Sequence, residues 1–418
     1  MSSPRSNLPP LPDLPRARLL DGPTPLQPLE RLSDALGGRA ELWIKREDLG
    51  PLAFSGNKLR NLEFLLGAAV SDGADTIVTS GRRWSNHCRL TAAAGARLGL
   101  RVEIVVSGPP AAGSANLALI ESLGATVHQA ATDARSEREA LVTRVAAEAG
   151  SAGRSVHVIP VGGSDATGAW GQVLAALEVA DQAASRGFRP DAIVLPSATG
   201  GTQAGLVVGA AIAAGQAGTA PTRIIGVAVA HPEPELRPHV TELIDELATL
   251  ARLDAPADSI AIDGAQLGGG YGIPSPGSTE AASLLARTEG ILVDPVYTAK
   301  GLAGLISAVR SGALDGRRAI FWHGGGLPAL FETLGPTIEA MPADPEPTPD
   351  VALYDTGAVR YRGYQLAGQM HGEWEFLRKD GTLMRAGRFE RGTQVGVWRT
   401  FDRHGDVVKE TDFSRKQA

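Results

Sequence analysis

Lys58 is the first residue whose placement suggests chemistry. It follows the turn residues Ser55, Gly56 and Asn57 and precedes apolar residues at helical spacing, so the pattern predicts a helix with Lys58 in its first turn. The positive end of a helix macrodipole favours anions, so a cation there calls for a partner. A nearby phosphate or an imine formed by the amine would supply a reason, although a lysine that extends into solvent is the more common arrangement.

Ser85, Asn86 and His87 fall at a predicted loop-to-helix junction, directly after the strand-like run of residues 77–79. In open α/β sheets, ligands bind beyond the carboxyl ends of the strands. Ser85 or Asn86 can also serve as the helix N-cap, and the free N–H groups of a helix start bind anions. Capping and ligand contact are compatible, so the segment is a candidate binding site.

A glycine- and threonine-rich turn, residues 196–205, follows a second strand-like run, residues 193–195. Its spacing is neither G-x-G-x-x-G nor a Walker loop, which disfavours a dinucleotide or ATP site. Backbone N–H groups and hydroxyls in such a turn can cradle a phosphate, and an ordinary strand–helix connection is the alternative. The residues that would form the cradle are Thr199, Gly200, Gly201 and Thr202.

Three later segments add polar groups in predicted connections. Residues 268–274 form a glycine-rich loop that carries Tyr271, and residues 294–300 form a turn with Tyr297 and Thr298. Residues 321–330 end a strand with a glycine loop that includes Gly324. Each segment alone is explained equally well as a connection between elements.

The elements that must position these groups alternate between strand and helix. Strand-like runs cover residues 76–79, 102–106, 192–195, 224–229 and 319–322, and helical patterns cover residues 86–98, 116–123 and 202–214. Repeated strand, turn and helix predict an α/β fold, in which helices cover both faces of a parallel sheet.

The chain changes character after about residue 340. Residues 341–350 contain four prolines and three acidic residues and predict an extended linker. Beyond them a period of 24 residues aligns Gly357 with Gly381 and Gly405, and Trp374 with Trp398. Alternating apolar residues around Asp-Gly and His-Gly turns predict β-hairpins in a small all-β repeat domain, with the tryptophans as packing anchors.

Composition excludes several classes of protein. The 418 residues carry a formal net charge of −6, which argues against a general nucleic-acid binder. Cys88 is the single cysteine, so neither an intrachain disulfide nor a multi-cysteine zinc site is expected, and no metal site is predicted. The first ten residues lack a signal-peptide pattern, and no apolar run is long enough for a membrane span, so the expected location is the cytoplasm.

Taken together, the segments resemble the family of 1-aminocyclopropane-1-carboxylate (ACC) deaminase and D-cysteine desulfhydrase. Matching motifs run in order over roughly residues 15 to 335. The resemblance implies a pyridoxal 5′-phosphate (PLP) enzyme with the two-subdomain fold of the tryptophan-synthase β type. The catalytic domain would cover residues 1–340, with a smaller subdomain at about 60–165, and would act as a homodimer on a small amino acid.

The resemblance also implies roles for individual residues. Lys58 would bond covalently to PLP and then transfer protons, and Ser85 would act with it in catalysis. Asn86 would bond the ring oxygen of PLP, Asn57 and Thr298 would contact the cofactor, and the turn of Thr199, Gly200, Gly201 and Thr202 would bind its phosphate. Ser85 and His87 would hold the substrate carboxylate. The residues that would border the substrate are Trp84, Ser85, His87, Tyr271 and Tyr297, of which the two tyrosines would also serve in acid–base catalysis.

Thr298 and His87 distinguish between the two activities of the family. ACC deaminase has Glu and Gln at the matching positions, whereas the desulfhydrases resemble this chain. A hydroxyl cannot hold a full charge on the pyridine nitrogen, so the ring is a weaker electron sink, which suits β-elimination better than cyclopropane opening. The resemblance therefore predicts a lyase acting on D-cysteine or a related β-substituted amino acid, with ACC-type deamination as the alternative.

Other positions depart from the family pattern. Trp84 stands where Gln is usual and follows Arg82 and Arg83; Gly324 replaces Thr, and Asn61 replaces a phosphate-side Lys. These changes leave open a specialised biosynthetic enzyme, or a binding protein that has lost catalysis. The C-terminal repeats resemble MORN-type repeats through their Gly-x-Trp pattern, which implies a binding or assembly module with a protein partner.

Overall fold

The computed structural model describes residues 11–108, 114–256, 259–338, 347–366 and 368–413. The chain divides into two compact units between Leu334 and Gly335, a boundary that falls within the last helix described with the first unit. The first ten residues and residues 341–346 of the predicted linker lie outside the described ranges. None of the helices in those ranges is both long and apolar enough to cross a bilayer.

The first unit alternates strands and helices along its whole length. In chain order its elements are β1 (Leu26–Pro28), α1 (Glu30–Ala35), β2 (Glu41–Arg46), α2 (Lys58–Ser71), β3 (Thr76–Arg82), α3 (Asn86–Leu98), β4 (Arg101–Ser107), α4 (Ala115–Ser122), β5 (Thr126–Gln129), α5 (Arg135–Ser151), β6 (Val156–Val158), a 3₁₀ turn (Val161–Gly163), α6 (Ala166–Ser185), β7 (Ala192–Ser197), α7 (Gly201–Ala217), β8 (Arg223–Ala228), α8 (Glu233–Ala251), β9 (Ala261–Asp263), α9 (Pro276–Glu289), α10 (Thr298–Arg310), β10 (Arg318–His323) and α11 (Leu327–Ile338).

Two sheets organise this unit. The larger has the strand order β1-β2-β10-β7-β8-β9, in which only the β1–β2 pair is antiparallel. The smaller has the order β5-β4-β3-β6 and is parallel throughout. The predicted α/β class is therefore confirmed, and each predicted strand and helix forms within a few residues of its expected bounds.

Apolar residues on both faces of the strands hold the layers together. In β7, Ile193 and Leu195 face a core formed with α6, α7 and α8, whereas Ala192 and Val194 face a core formed with α9 and α10. Burial on both faces is typical of a parallel sheet and explains the continuous apolar runs in the sequence. Close packing of α7 on α6 requires glycine, because a Cβ at Gly209 would lie 2.5 Å from the Val173 carbonyl oxygen.

The smaller sheet spans Thr76 to Val158 and lies between the first two and the last four strands of the larger one in sequence. The smaller subdomain expected at about residues 60–165 and the other domain boundaries stay predictions.

The second unit is a six-stranded antiparallel meander. Its strands follow one another in the sheet as β11 (Thr348–Leu353), β12 (Val359–Leu366), β13 (Gln369–Leu377), β14 (Leu383–Glu390), β15 (Thr393–Phe401) and β16 (Val407–Asp412). Strand β11 begins inside the segment predicted as a linker. It tolerates Pro349 because it is an edge strand, where a missing N–H breaks no interior ladder.

The 24-residue repeat corresponds to a pair of tryptophans, each packed on a glycine of the preceding strand. A Cβ at Gly363 would lie 2.3 Å from the Trp374 ring, and a Cβ at Gly387 would lie 2.3 Å from the Trp398 ring. Both indoles are buried and donate Nε1–H to a backbone carbonyl at 3.1 Å. The predicted hairpins with tryptophan anchors are confirmed.

Replacement of Trp398 by Ala is expected to loosen β14–β16. Truncation of a buried tryptophan typically costs about 3–5 kcal/mol, because the cavity it leaves cannot collapse fully. Peptide-resolved hydrogen exchange of the full chain should therefore show faster exchange in these strands. The control is Val408→Ala, at a side chain that is 62% exposed. Equal protection in both variants would contradict the assigned packing role.

Candidate active site

A cavity of about 250 Å³ lies in the first unit, where strands of both sheets end. Its walls come from the start of α2, the loop after β3, the turn after β7, and the segments before α10 and α11. The structure brings nearly all the predicted site residues to this cavity: Asn57, Lys58, Ser85, Asn86, His87, Thr199, Gly200, Thr202, Tyr271, Tyr297 and Thr298 line it.

Lys58 is the first residue of α2, as the sequence predicted. Its amine lines the cavity and donates a hydrogen bond to the carbonyl oxygen of Gly162 at 2.8 Å. Burial lowers the pKa of this amine from 10.5 to about 8. At pH 7 about a tenth of the amine is therefore uncharged, which is the form that reacts as a nucleophile or base.

An unusual turn positions Lys58 at the cavity. Ala53, Phe54 and Ser55 have φ angles of 41°, 60° and 48°, which residues with a Cβ rarely adopt. The buried Arg89 stabilises this turn by donating to the carbonyl oxygens of Ala53 at 3.0 Å and Ser55 at 3.3 Å. Strain of this kind persists only where surrounding contacts enforce it, and it is typical of functional sites.

Asn57 connects the lysine to the turn after β7. Its side-chain amide donates to Thr202 Oγ1 at 2.8 Å, and its backbone N–H donates to the Gly324 carbonyl oxygen at 3.1 Å. A Cβ at Gly324 would lie 3.3 Å from Asn57 Oδ1, so the glycine leaves room for the Asn57 side chain in this position.

The turn after β7 forms a cradle at the N-terminus of α7. Gly200 precedes the helix with φ of 85°, and Gly201 begins it next to Ser164, where a Cβ would lie 2.9 Å from Ser164 Oγ. Thr199 Oγ1 and Ser164 Oγ share a hydrogen bond of 2.5 Å. Free backbone N–H groups and hydroxyls at a helix start are the donors that a phosphate monoester requires.

His87 is neutral and its tautomer follows from its neighbours. Thr79 Oγ1 donates its only proton to the Ile159 carbonyl oxygen at 2.9 Å, so it accepts from His87 Nε2, also at 2.9 Å. The other ring nitrogen, Nδ1, is then a hydrogen-bond acceptor; it is buried and has no partner within the described residues. Burial and the nearby Lys58 lower the pKa of His87 to about 3.

This tautomer bears on the role expected for His87. A neutral ring whose free nitrogen is an acceptor cannot donate a hydrogen bond to a substrate carboxylate. The residue can instead accept from an amine, hydroxyl or thiol. Ser85, the N-cap of α3, accepts from Cys88 N at 3.2 Å and begins the helix whose N-terminus faces the same cavity.

Tyr271 and Tyr297 meet through a hydrogen bond between their hydroxyl groups. Burial raises the pKa of both phenols, so each stays protonated at neutral pH. The loop of Tyr271 is held by Lys300, whose amine donates to the carbonyl oxygens of Leu267 and Gly270, both at 2.7 Å.

Thr298 is buried at the start of α10, and its hydroxyl donates to the Asp294 carboxylate. The same carboxylate accepts from the backbone N–H groups of Val296 at 2.9 Å, Tyr297 at 2.7 Å and Thr298 at 3.0 Å. The Thr298 hydroxyl proton is thus used by Asp294, and its oxygen already accepts from the Asp294 backbone N–H at 2.8 Å, which leaves one lone pair for a ligand.

Trp84 and Gly201 are the two predicted site residues that do not line the cavity. The Trp84 indole packs on Gly272, donates to Glu332 at 2.6 Å and lies beside the Tyr271 ring. Trp84 therefore supports the loop that carries Tyr271 rather than facing the cavity.

Sequence reasoning missed several cavity residues. Ser197 ends β7, and its buried hydroxyl has no partner within the described residues. His231 follows β8, and Arg138 lies in the second turn of α5. The position after a strand was a usable signal for Ser197 and His231, whereas nothing in the helical pattern of α5 marks Arg138.

The site fits PLP. Lys58 can bond its aldehyde carbon, the cradle at α7 offers donors for its phosphate, and the buried, unpartnered atoms Ser197 Oγ and His87 Nδ1 suit polar contacts with a ligand. A reactive amine opposite a phosphate cradle, at the carboxyl ends of parallel strands, defines the class of PLP-dependent enzymes.

Comparison with known proteins gives the same class. Residues 17–325 match the family described as "Pyridoxal-phosphate dependent enzyme". The D-cysteine desulfhydrase of Salmonella choleraesuis (strain SC-B67) is 40% identical over 326 residues, which cover 76% of this chain and 95% of that protein. The D-cysteine desulfhydrase of Yersinia pestis (strain Pestoides F) is 39% identical over 330 residues, or 77% and 96% of the two chains.

Solved structures show the same fold. A crystal structure of an ACC deaminase homologue superposes with a TM-score of 0.70 at 33% identity, covering 78% of this chain and 95% of that one. A crystal structure of a threonine deaminase, at 22% identity and a TM-score of 0.53 over 72% and 92% of the two chains, shares the fold. The chain belongs to the family of pyridoxal-phosphate dependent enzymes, and PLP is its cofactor.

The lowered pKa of Lys58 predicts how the reactivity of its amine depends on pH. Competitive acetylation of the cofactor-free protein, read by peptide mass spectrometry, should give a midpoint at about pH 8 for Lys58. A lysine model peptide, labelled in the same tube, should give its ordinary value near 10.5. Because the pKa of Lys58 is lowered in the folded protein, its amine becomes reactive at a lower pH than the lysine of the model peptide. Equal midpoints for the two amines would contradict the burial of Lys58.

Proposed function

We propose that this enzyme is a PLP-dependent lyase that removes the β-substituent of D-cysteine or a related small amino acid, yielding a 2-keto acid and ammonia. The observation that carries the proposal is the Lys58 amine, whose pKa burial lowers to about 8, inside a cavity that also holds a phosphate cradle. The desulfhydrases at 39–40% identity support the elimination reaction.

Each residue has a task that follows from its protonation state. PLP, when bound, supplies an electron sink that weakens the Cα–H bond. Lys58 takes the α-proton, because its uncharged form is accessible near neutral pH. The protonated pair of Tyr271 and Tyr297 can donate to the departing β-group, and the N-terminus of α3 at Ser85 holds the substrate carboxylate.

His87 and Thr298 adjust the electronics of the site. His87 Nδ1 accepts a hydrogen bond from the substrate and adds no positive charge beside Lys58. Thr298 would contact the pyridine nitrogen of bound PLP and would have no proton to give it, since that proton goes to Asp294. Asn86 would contact the ring oxygen of bound PLP, and its phosphate would be held by Thr199, Gly200, Gly201 and Thr202.

ACC-type ring opening is the second candidate, supported by the structural match to an ACC deaminase homologue. Thr298 argues against it, because ring opening needs a stronger electron sink than a hydroxyl can maintain. A protein that has lost catalysis is disfavoured, since the reactive Lys58 is present and lines the cavity.

Features beyond the catalytic unit stay predictions from the sequence and the resemblance. They are a homodimer, a cytoplasmic location, a catalytic domain of residues 1–340, and a MORN-like module of residues 351–418 that binds a protein partner. The six-stranded meander with its 24-residue repeat supports a repeat module.

Assays of the PLP-loaded full chain test the proposed reaction. D-cysteine, L-cysteine, β-chloroalanine and ACC are each incubated with the enzyme, and keto acid and sulfide are measured. We expect pyruvate and sulfide from D-cysteine. Lys58→Ala should lower kcat/KM by at least about 10²-fold, since it removes a positioned proton-transfer group.

The matched control is Lys379→Ala. Lys379 lies in the β13–β14 turn of the second unit, so its replacement should leave the rate unchanged. No keto acid from any of the four compounds would reject the assignment. Formation of 2-ketobutyrate from ACC, without turnover of the others, would establish the second candidate instead.

A further inference from the structure

Three arginines line the Lys58 cavity without a task in the proposed elimination. Arg82 ends β3, and Arg135 and Arg138 lie one turn apart at the start of α5. Two of them have carboxylate partners: Arg82 pairs with Asp133 at 2.5 Å, and Arg135 pairs with Glu139 at 2.6 Å.

Arg138 differs from the other two. Within the described residues no carboxylate lies at ion-pair distance from it, and its Nε is buried without a hydrogen-bond partner. Its Nη1 makes one long contact, 3.4 Å, with Ser107 Oγ. Burial lowers the pKa of the guanidinium. The carboxylates of Glu139 and Asp133 raise this pKa, the charges of Arg82 and Arg135 lower it, and the net shift is downward. A partly desolvated cation with an unsatisfied donor is costly, and an anion would relieve that cost.

The contacts of Arg82 indicate that the three arginines lie on the substrate side of the cavity. Its guanidinium carbon lies 5.1 Å from the ring centroid of Tyr271, which meets Tyr297 through its hydroxyl. The phosphate cradle lies elsewhere, at the start of α7, and the site proposed for the α-carboxylate lies at the start of α3. An anion at the arginines would therefore be a further negative group of the substrate.

We propose that Arg138, with Arg82, binds an anionic side chain of the substrate, so that the enzyme acts on amino acids whose β-substituent carries a phosphate, sulfonate or carboxylate. This inference rests on the proposed elimination and specifies its substrate class. Guanidinium groups suit such anions because their planar donors match the oxygens in pairs.

For O-phosphoserine the reaction balances as follows. The Cα–H bond breaks and its proton passes to Lys58, and the Cβ–O bond breaks with its electron pair leaving on the phosphate. One water then releases the product, so that phosphoserine and water give pyruvate, ammonia and phosphate. Arg138 would also stabilise the charge that develops on the departing phosphate.

The first experiment compares two substrates with good leaving groups on the PLP-loaded full chain. Each enantiomer of O-phosphoserine and of β-chloroalanine is assayed for keto acid, and the ratio of the two kcat/KM values is the readout. We expect Arg138→Gln to lower the phosphoserine to chloroalanine ratio by about ten-fold or more, the loss expected for one hydrogen bond to a charged group.

Two further variants separate charge recognition from a general effect on the helix. Arg144→Gln makes the same change at an exposed position of α5 that does not line the cavity, and it should leave the ratio unchanged. Arg138→Lys keeps the charge and should restore part of the ratio. A ratio that stays within about two-fold in Arg138→Gln would overturn the proposal.

Calorimetry in the Lys58→Ala background measures binding without turnover. O-phosphoserine should bind more tightly than serine, and addition of Arg138→Gln should remove the difference. If inorganic phosphate alone binds as tightly as phosphoserine, the site holds free anions and the proposal is wrong. If no keto acid forms from any substrate while the calorimetric preference holds, the proposed elimination fails and the anion subsite stands.

Discussion

The buried ion pair between Arg60 and Glu47 fixes the first turn of α2 and, with it, the position of the Lys58 amine. Arg60 Nε lies 2.6 Å from Glu47 Oε2, and the guanidinium also donates to both carboxylate oxygens of Glu178 at 2.9 Å. Arg60 and Glu47 are 5% and 2% exposed. Loss of one partner in such a pair typically costs about 3–5 kcal/mol, because the other charge stays buried and unpaired. The network joins α2 to α6 and to the loop after β2, so the helix start cannot shift alone.

Removal of water from the cavity then sets the protonation of its groups. Burial moves Lys58 towards a free amine, keeps His87 uncharged and keeps Tyr271 and Tyr297 protonated. One physical effect thus gives the cavity a base, an acceptor and a hydrogen-bonded pair of protonated phenols at neutral pH. Burial also leaves the Arg138 guanidinium with a donor that no described residue satisfies, and this distinguishes the part of the cavity formed by α5 from the rest.

Much of the fold and part of the site could be predicted because their signals are local. The apolar runs of parallel strands and the helix-start position of Lys58 depend on near neighbours in sequence, and α3 has the predicted bounds, Asn86–Leu98. The 24-residue repeat likewise predicted the β-hairpins of the second unit, where Gly387 and Trp398 pack across neighbouring strands in the same way as Gly363 and Trp374.

The remainder depends on contacts between distant segments. Trp84 faces Gly272 and Glu332 rather than the cavity, and that direction is decided by the loop and helix packed against it. The tautomer of His87 follows from a hydrogen bond between Thr79 and Ile159, 80 residues apart in the chain. The approach of α5 to the cavity, which brings Arg138 there, has no counterpart in local sequence.

The identity of the amine that holds the cofactor is the most direct test of this site. The PLP-loaded full chain is reduced with borohydride, which fixes the covalent bond between lysine and cofactor, and its peptides are mapped by mass spectrometry. We expect the pyridoxyl group on Lys58, in an amount that matches the bound cofactor. A pyridoxyl group on Lys45 or Lys300, with the Lys58 peptide unmodified, would contradict the assignment.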